Sequence, residues 1–356
     1  MSGTGHVVDA EPRCVTLRDA IATPFASVVP AEATEQPPRD EHVTAYTRGC
    51  LYDADGVRVD LSVRAGGIAR DRAASSDPDI LPREQRGGTW LTGRTLYLGA
   101  FMGSYGRFIT EGLSRYWLKD AGTFDHVVAY PFLRDNGDLG IQDFHRYFAG
   151  LLGVPIGRLA ILRSQTVFDE IVVPEQLWVS DLQVNAGMRD LYGRIRDRHA
   201  GGRPAGRIFL SRAPSPRLGN PAAVEEAFAA FGFRVLHPER LPIADQLALY
   251  ANCEILAGLS GGGMHNCLFA RPGLLTIEVG DRPARRRPAP VQRIANELAQ
   301  VEARFIRFGE GTEAAIDPKT VRKRLRDTLG ELPRRGPVVL LRLGRIIKRL
   351  RSGTAP

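Results

Sequence analysis

From Arg94 onward, short apolar runs alternate with stretches whose apolar residues recur every three or four positions. Runs of the first kind have the length of buried strands, and stretches of the second kind have the period of amphipathic helices. Strand 95–99 precedes a helix over 105–119, strand 126–131 precedes a helix over 141–152, and runs 158–163 and 167–173 precede a helix over 186–199. The breaker AGGRPAG at 200–206 then interrupts the pattern. It resumes with strand 207–212, helix 221–231, strand 233–237, helix 242–252 and strand 254–259. Helix 263–270, strand 274–279, helix 290–300 and strand 303–308 complete it. Such alternation predicts an α/β chain of parallel sheets covered by helices on both faces. The break near 200 divides it into two units that face each other across a cleft.

Upstream the pattern is weaker. Residues 1–40 are rich in Pro, Ala and acidic groups and read as a loosely ordered segment. Residues 43–63 alternate as a hairpin does, with a turn at Asp55-Gly56. Residues 64–93 carry Gly, Pro, Ser and Arg and read as a long connection. The expected divisions are therefore 1–40, a first α/β domain over 41–200, a second over 201–316, and a tail over 317–356.

Hydrophobic residues are 43% of the 356 and charged residues 25%. That excludes disordered, collagenous and coiled-coil classes. No apolar run approaches the roughly 20 residues of a bilayer span, and the N-terminal residues do not read as a secretory signal. Cys14, Cys50, Cys253 and Cys267 show no CxxC spacing. They point to a reducing cytoplasm, with neither a disulfide frame nor a zinc site. The formal charge is +8, but 317–356 holds twelve Lys and Arg against three acids, so the rest of the chain is near neutral. The basicity belongs to the tail, and no nucleic-acid signature accompanies it.

Ligands of open parallel sheets sit beyond the carboxyl ends of strands, so the chemistry is sought there. In EILAGLSGGGMHN a buried-type strand ends at Gly258, Ser260-Gly261-Gly262-Gly263 turns the chain, and a helix starts near Met264. Glycines permit close backbone approach, and a helix start offers unpaired N–H groups to a phosphate. His265 and Asn266 lie within reach of the same ligand. The sequence is neither a P-loop nor a dinucleotide GxGxxG at a first strand. The alternative is a tight turn with no ligand.

In RIFLSRAPSPRLGN the strand stops at Ser211-Arg212, and Arg217 and Asn220 follow in a Pro-rich turn. A guanidinium at that strand end can grip a diphosphate through paired hydrogen bonds; the alternative is a solvated arginine. Glu278 ends another strand and is placed to accept bonds from ribose hydroxyls, or to pair with one of Arg282, Arg285, Arg286 and Arg287. In SYGRFITEGLSRYW the spacing sets Arg107, Glu111 and Arg115 on one helical stripe. Glu111 there is either a base for an acceptor hydroxyl or one rung of a salt-bridge ladder.

These pieces resemble glycosyltransferase family 61, of the capsular-polysaccharide-biosynthesis type. The similarity is carried by Leu210-Ser211-Arg212, Arg217 with Asn220, Pro238-Glu239, Asp245-Gln246, Gly258, Gly261, Asn266, Leu268-Phe269 and Glu278. GSYGRFITEGLSRYW is similar to that family's Asn-Tyr-x-His-x-x-x-Glu helix. Two departures stand out: Arg107 replaces the usual His, and Ser260 replaces a His found before the Gly in many members.

The resemblance implies a GT-B architecture of two Rossmann-like domains, with the nucleotide sugar mainly on the second. It implies inverting transfer, without a bound metal or other cofactor, from a nucleotide-diphosphate sugar to a hydroxyl of a glycan or lipid-linked glycan. The expected donor-binding residues are Arg212, Arg217, Asn220, Ser260, Gly261, Gly262, Gly263, Met264, Asn266 and Glu278. Glu111 is the first expected catalytic base and His265 the alternative, with Arg107 and Arg115 as acceptor or charge partners. The substitutions at Arg107 and Ser260 also admit a catalytically silent member that binds a sugar nucleotide or glycan and supports an assembly.

In the tail, Val339, Leu340, Leu343, Ile346, Ile347 and Leu350 fill one arc of a helical wheel, opposite Arg342, Arg345, Lys348 and Arg349. Over 337–351 this reads as a basic amphipathic helix for an anionic membrane surface, which suits a cytoplasmic enzyme peripheral to the inner face of the membrane. The alternative is a helix packed on the chain's own body or on a partner.

Overall fold

The computed structural model describes residues 6–24, 26–28, 45–47, 49–64, 78–131, 140–202, 205–212, 220–281, 285–307 and 317–330. The first sheet is built from Cys14–Ala22 (β1), Leu51–Tyr52 (β2), Thr89–Phe101 (β3), His126–Pro131 (β4), Leu159–Ile161 (β5) and Thr166–Pro174 (β6). Its order is β2-β1-β6-β3-β4-β5. β6, β3, β4 and β5 run parallel, whereas β1 is antiparallel to both β2 and β6. This sheet is therefore mixed rather than wholly parallel.

The antiparallel part comes from the segment expected to be loose. Over Cys14–Ala22 the chain pairs with β6, and Ala20, Ile21 and Ala22 are buried. Small residues filling tight core space look, in a sequence, like the Ala-rich filler around them. β3 likewise starts before the expected residue 95, inside the expected connection. Its register shifts between Leu91 and Arg94, where Gly93 has φ 93°. A bulge of that kind breaks the two-residue period and hides the strand. The turn at Asp55-Gly56 is present, with the Gly56 N–H donating to the Asp53 carbonyl at 2.9 Å. The flanks pair with each other across it: the Asp53 N–H donates to the Val57 carbonyl at 2.9 Å, the Val59 N–H donates to the Leu51 carbonyl at 2.8 Å, and Tyr52 and Arg58 form an antiparallel bridge, while β2 also pairs with β1.

Three helices follow strands of this unit: Tyr105–Ile109 (α1), Asp143–Leu152 (α2) and Met188–Asp197 (α3). The second sheet comprises Gly206–Leu210 (β7), Arg234–Leu236 (β8), Cys253–Leu259 (β9), Leu275–Val279 (β10) and Glu302–Ile306 (β11), all parallel, in the order β8-β7-β9-β10-β11. Its helices are Pro221–Ala229 (α4), Ile243–Asn252 (α5), Pro290–Leu298 (α6) and Pro318–Leu329 (α7).

Strand alternation assigns the faces. Phe209, Ala257 and Ile277 point to α4 and α7, where Val224, Phe228, Val321 and Leu325 are buried. Ile208, Leu210 and Leu256 point the other way, into a core shared with the first unit. Leu96, Leu98, Val127 and Ala129 enter that core from the first sheet, and Phe148 stacks on Phe269 with centroids 5.5 Å apart. The two units thus share one apolar core, filled by the helices between the sheets. α7 lies in the expected tail, and its Val321 and Leu325 are buried against the second sheet. Asp317 caps it by accepting from the Lys319 and Thr320 N–H groups at 3.0 Å. The amphipathic segment 337–351 lies outside the described residues. Among the described residues no helix is long and apolar enough to cross a membrane.

Candidate functional site

In an open α/β sheet the ligand crevice forms where the strand order reverses. In the second sheet that point lies between β7 and β9, the strands that end at Arg212 and at the glycine loop. A cavity of about 970 Å³ opens there. Leu210, Ser211, Arg212, Gly263 and Asn266 form its second-unit wall, and Tyr105 with the start of α2 forms the facing wall.

Arg212 lies over the loop. Its Nη1 donates to the Ser260 carbonyl at 2.7 Å. Gly261 has φ 146°, and a Cβ there would stand 2.4 Å from Nη1, so only glycine lets the guanidinium lie so close. Among the described residues the remaining guanidinium donors have no partner and open onto the cavity. The loop continues as tight 3₁₀ turns over Gly262–Phe269 rather than as the expected α-helix. The Met264 N–H closes the first turn onto the Gly261 carbonyl at 3.0 Å and is not available to a ligand. The N–H groups of Gly261, Gly262 and Gly263 find no acceptor among the described residues.

The glycines have different tasks. Gly262 touches Gly106 of α1: a Cβ on either would come within 3.1 Å or less of the other's Cα. That glycine joins the two units. At Gly263 the nearest atom to an added Cβ is Leu210 Cδ1 at 3.8 Å, and this residue faces the cavity. Asn266 is buried and bridges the units, its Nδ2 donating to the Gly263 carbonyl at 2.9 Å and its Oδ1 accepting from the Tyr105 hydroxyl at 2.6 Å. Burial raises the Tyr105 phenol well above its ordinary value, which keeps it a donor.

Ser260 and Glu278 stand behind this wall rather than in it. The Ser260 hydroxyl donates to Glu278 Oε1 at 2.5 Å, with both side chains buried. Burial raises the Glu278 carboxyl, partly opposed by the Ser260 bond and the Arg285 charge. Glu278 does not line the cavity; it braces the residue whose carbonyl holds Arg212.

The expected helix over 105–119 breaks after Ile109. The Thr110 hydroxyl donates back to the Gly106 and Arg107 carbonyls at 3.0 and 3.2 Å, competing with the helix ladder. The stripe of Arg107, Glu111 and Arg115 therefore does not form. Glu111 is buried in a two-pronged ion pair with Arg64, through Nε and, at 3.1 Å, through Nη2. Arg115 is buried and donates to the Pro174 and Leu61 carbonyls, and burial lowers its pKa. Arg107 is half-buried, and its charge opposes the upward push of burial on Asp181. None of the three lines the cavity.

His265 is buried, with Nδ1 2.7 Å from Gln292 Oε1. Gln292 Nε2 donates to the Met264 carbonyl at 3.2 Å and to Asn296 Oδ1 at 2.8 Å. A carbonyl can only accept, so the Gln292 amide is oriented with its oxygen toward the imidazole, and His265 Nδ1 carries the proton. Nε2 is left with the lone pair. Burial lowers the imidazole pKa, only partly offset by Gln292.

Residues 105–277 match the family model Glycosyltransferase 61. Over those residues the chain is similar to glycosyltransferase family 61. No curated protein matches the chain.

The family stretch begins at α1 and ends inside β10, so it spans both walls of the cavity. The family is one of glycosyltransferases, which bind a sugar donor and an acceptor. Of the donor residues expected from sequence, Arg212, Gly261, Gly262, Gly263 and Asn266 cluster at the cavity or the loop beside it. Asn220 is the N-cap residue of α4, and Arg217 lies outside the described residues. Among the described residues no three His, Cys, Asp or Glu side chains cluster as a metal site needs. Sequence reasoning missed the α2 wall, Tyr105, Arg64 and Gln292. Two of these left a signal: the polar face of α2 repeats at helical spacing within 141–152, and Tyr105 holds the Tyr position of the helix motif that its segment resembles.

Proposed function

We propose that this chain is an inverting glycosyltransferase of GT-B arrangement. It moves a sugar from a nucleotide-diphosphate donor to a hydroxyl of a glycan or lipid-linked glycan in surface polysaccharide synthesis. The observation that carries the reading is the cavity at the β7–β9 switch point, where Arg212, held on the Ser260 carbonyl, stands beside a glycine loop whose Gly261, Gly262 and Gly263 N–H groups have no acceptor among the described residues. As the anomeric bond breaks, the sugar gains oxocarbenium character and negative charge grows on the departing diphosphate. A guanidinium and fixed N–H groups answer that charge without reorganising, and each such donor is worth roughly 3 kcal/mol of barrier. On this reading Arg217 and Asn220 complete the donor grip, and no metal is needed.

Deprotonation of the acceptor hydroxyl falls to Glu111 or His265. His265 is in the tautomer of a base, with the lone pair on Nε2, but it is buried and does not line the cavity. Glu111 becomes available only when Arg64 withdraws. That engagement favours the second reading, a member that binds its ligands without turnover.

Nucleotide release from a panel of nucleotide-diphosphate sugars separates the two. The enzyme reading expects release by the wild-type chain, and a fall of about hundredfold in Arg212→Gln. Binding of a donor without release supports the silent member.

A further inference from the structure

Helix α2 presents one face to the cavity and the opposite face to the core. At about 100° per residue, Arg146, Asp143, Tyr147 and Phe144 fall on an arc of about 160°, and all four line the cavity. His145, Phe148, Ala149 and Leu152 are buried on the other side. The helix cap is made by the Gln142 and His145 side chains, which leaves the Asp143 carboxylate unused. Asp143 and Arg146 are exposed, and neither has a partner among the described residues.

The two rings on this face are held. Phe144 meets Tyr105 edge-on at 5.4 Å between centroids. The Tyr147 hydroxyl lies 2.7 Å from His199 Nε2, and His199 Nδ1 lies 2.7 Å from the Ile195 carbonyl. A carbonyl accepts only, so His199 donates from Nδ1, and in its neutral form Nε2 receives the tyrosine proton.

The walls differ in charge. The second-unit wall has Arg212, while its Glu239 lies within 3.8 Å of both His237 and Arg240. The α2 wall carries one cation and one anion and is neutral as a unit. Fixed rings beside one free carboxylate and one free guanidinium suit a neutral polyol. The rings take its C–H faces, the carboxylate accepts from its hydroxyls, and the guanidinium donates to its oxygens.

We propose that this face of α2 is the acceptor subsite, and that the acceptor's terminal group there is a neutral saccharide. The proposal rests on the reading of the opposite wall as the donor site. The test uses an array of neutral and acidic oligosaccharides, probed with the full chain and with the Asp143→Asn, Arg146→Gln double variant. A thermal-shift panel of nucleoside diphosphates runs beside it. The expected result is retention of the wild-type chain on a subset of neutral glycans, weakened at least about tenfold in the variant, with the same nucleotide shift in both. Equal retention of variant and wild type, retention on acidic glycans alone, or no retention at all overturns the subsite. Those outcomes leave a nucleotide shift intact. Absence of any nucleotide shift in the wild type instead overturns the donor reading, and the subsite with it.

Discussion

Gly263→Ala separates a phosphate cradle from a structural turn. The residue is outside the left-handed region, and an added Cβ would meet nothing closer than Leu210 Cδ1 at 3.8 Å. That is ordinary van der Waals contact, so the fold is unstrained. Restricting the unfolded chain should even raise stability by about 0.4–1 kcal/mol. The methyl stands in the cavity wall, where a diphosphate must approach the backbone. Holding an anion off these N–H groups forfeits most of a charge-assisted bond, about 1.5–3 kcal/mol, or roughly ten- to hundredfold in Kd. The assay is calorimetric titration with a nucleoside diphosphate that shifts the wild type, with a melting curve on the same sample. The expected variant melts at or slightly above the wild-type temperature and binds at least tenfold more weakly. Wild-type affinity in a stable Gly263→Ala variant would refute the cradle, because the loop would then be a turn and nothing more.

Other expectations follow from the same geometry. Alanine at Gly106 or Gly262 forces a Cβ to within 3.1 Å or less of the facing Cα, so each should lower stability by about 1–3 kcal/mol in denaturant titration. Burial pushes the His145 imidazole down from 6.5 to about 4. As pH falls through that window the unfolded chain takes up a proton that the folded chain refuses, so stability falls by about 3 kcal/mol. Melts from pH 7 to 4 should show this slope, and His145→Gln should flatten it. Arg64→Met should cost about 3–5 kcal/mol by leaving the buried Glu111 carboxylate unpaired, and Glu111→Gln beside it should recover much of that loss. Co-sedimentation with anionic vesicles should be strong for the full chain and lost in a 1–330 truncation, which keeps α7; equal binding by both would remove the tail as an anchor.

The β–α alternation after Arg94 was legible because the central strands of the second sheet, Cys253–Leu259 and Leu275–Val279, are buried apolar runs, and helices such as Asp143–Leu152 and Met188–Asp197 bury one apolar face. It led to the switch point, and so to Arg212 and the glycine loop. β1 was not legible, since its buried end is Ala20-Ile21-Ala22 and its partner β6 lies some 150 residues away. The break in α1 depends on where the Thr110 hydroxyl turns, which spacing does not encode. Arg64 joins Glu111 across 47 residues and Gln292 joins His265 across 27, so neither partnership leaves a local motif. The glycines illustrate the same limit: the run Gly261-Gly262-Gly263 is uniform in sequence, yet one glycine admits Arg212, one admits Gly106, and one faces the cavity.

The most direct measurement is a crystal structure of the chain soaked with a nucleoside diphosphate. The account predicts the diphosphate between the Arg212 guanidinium and the N–H groups of Gly262 and Gly263, at the carboxyl ends of β7 and β9. A nucleotide bound elsewhere, with Arg212 making no contact to it, would contradict the account.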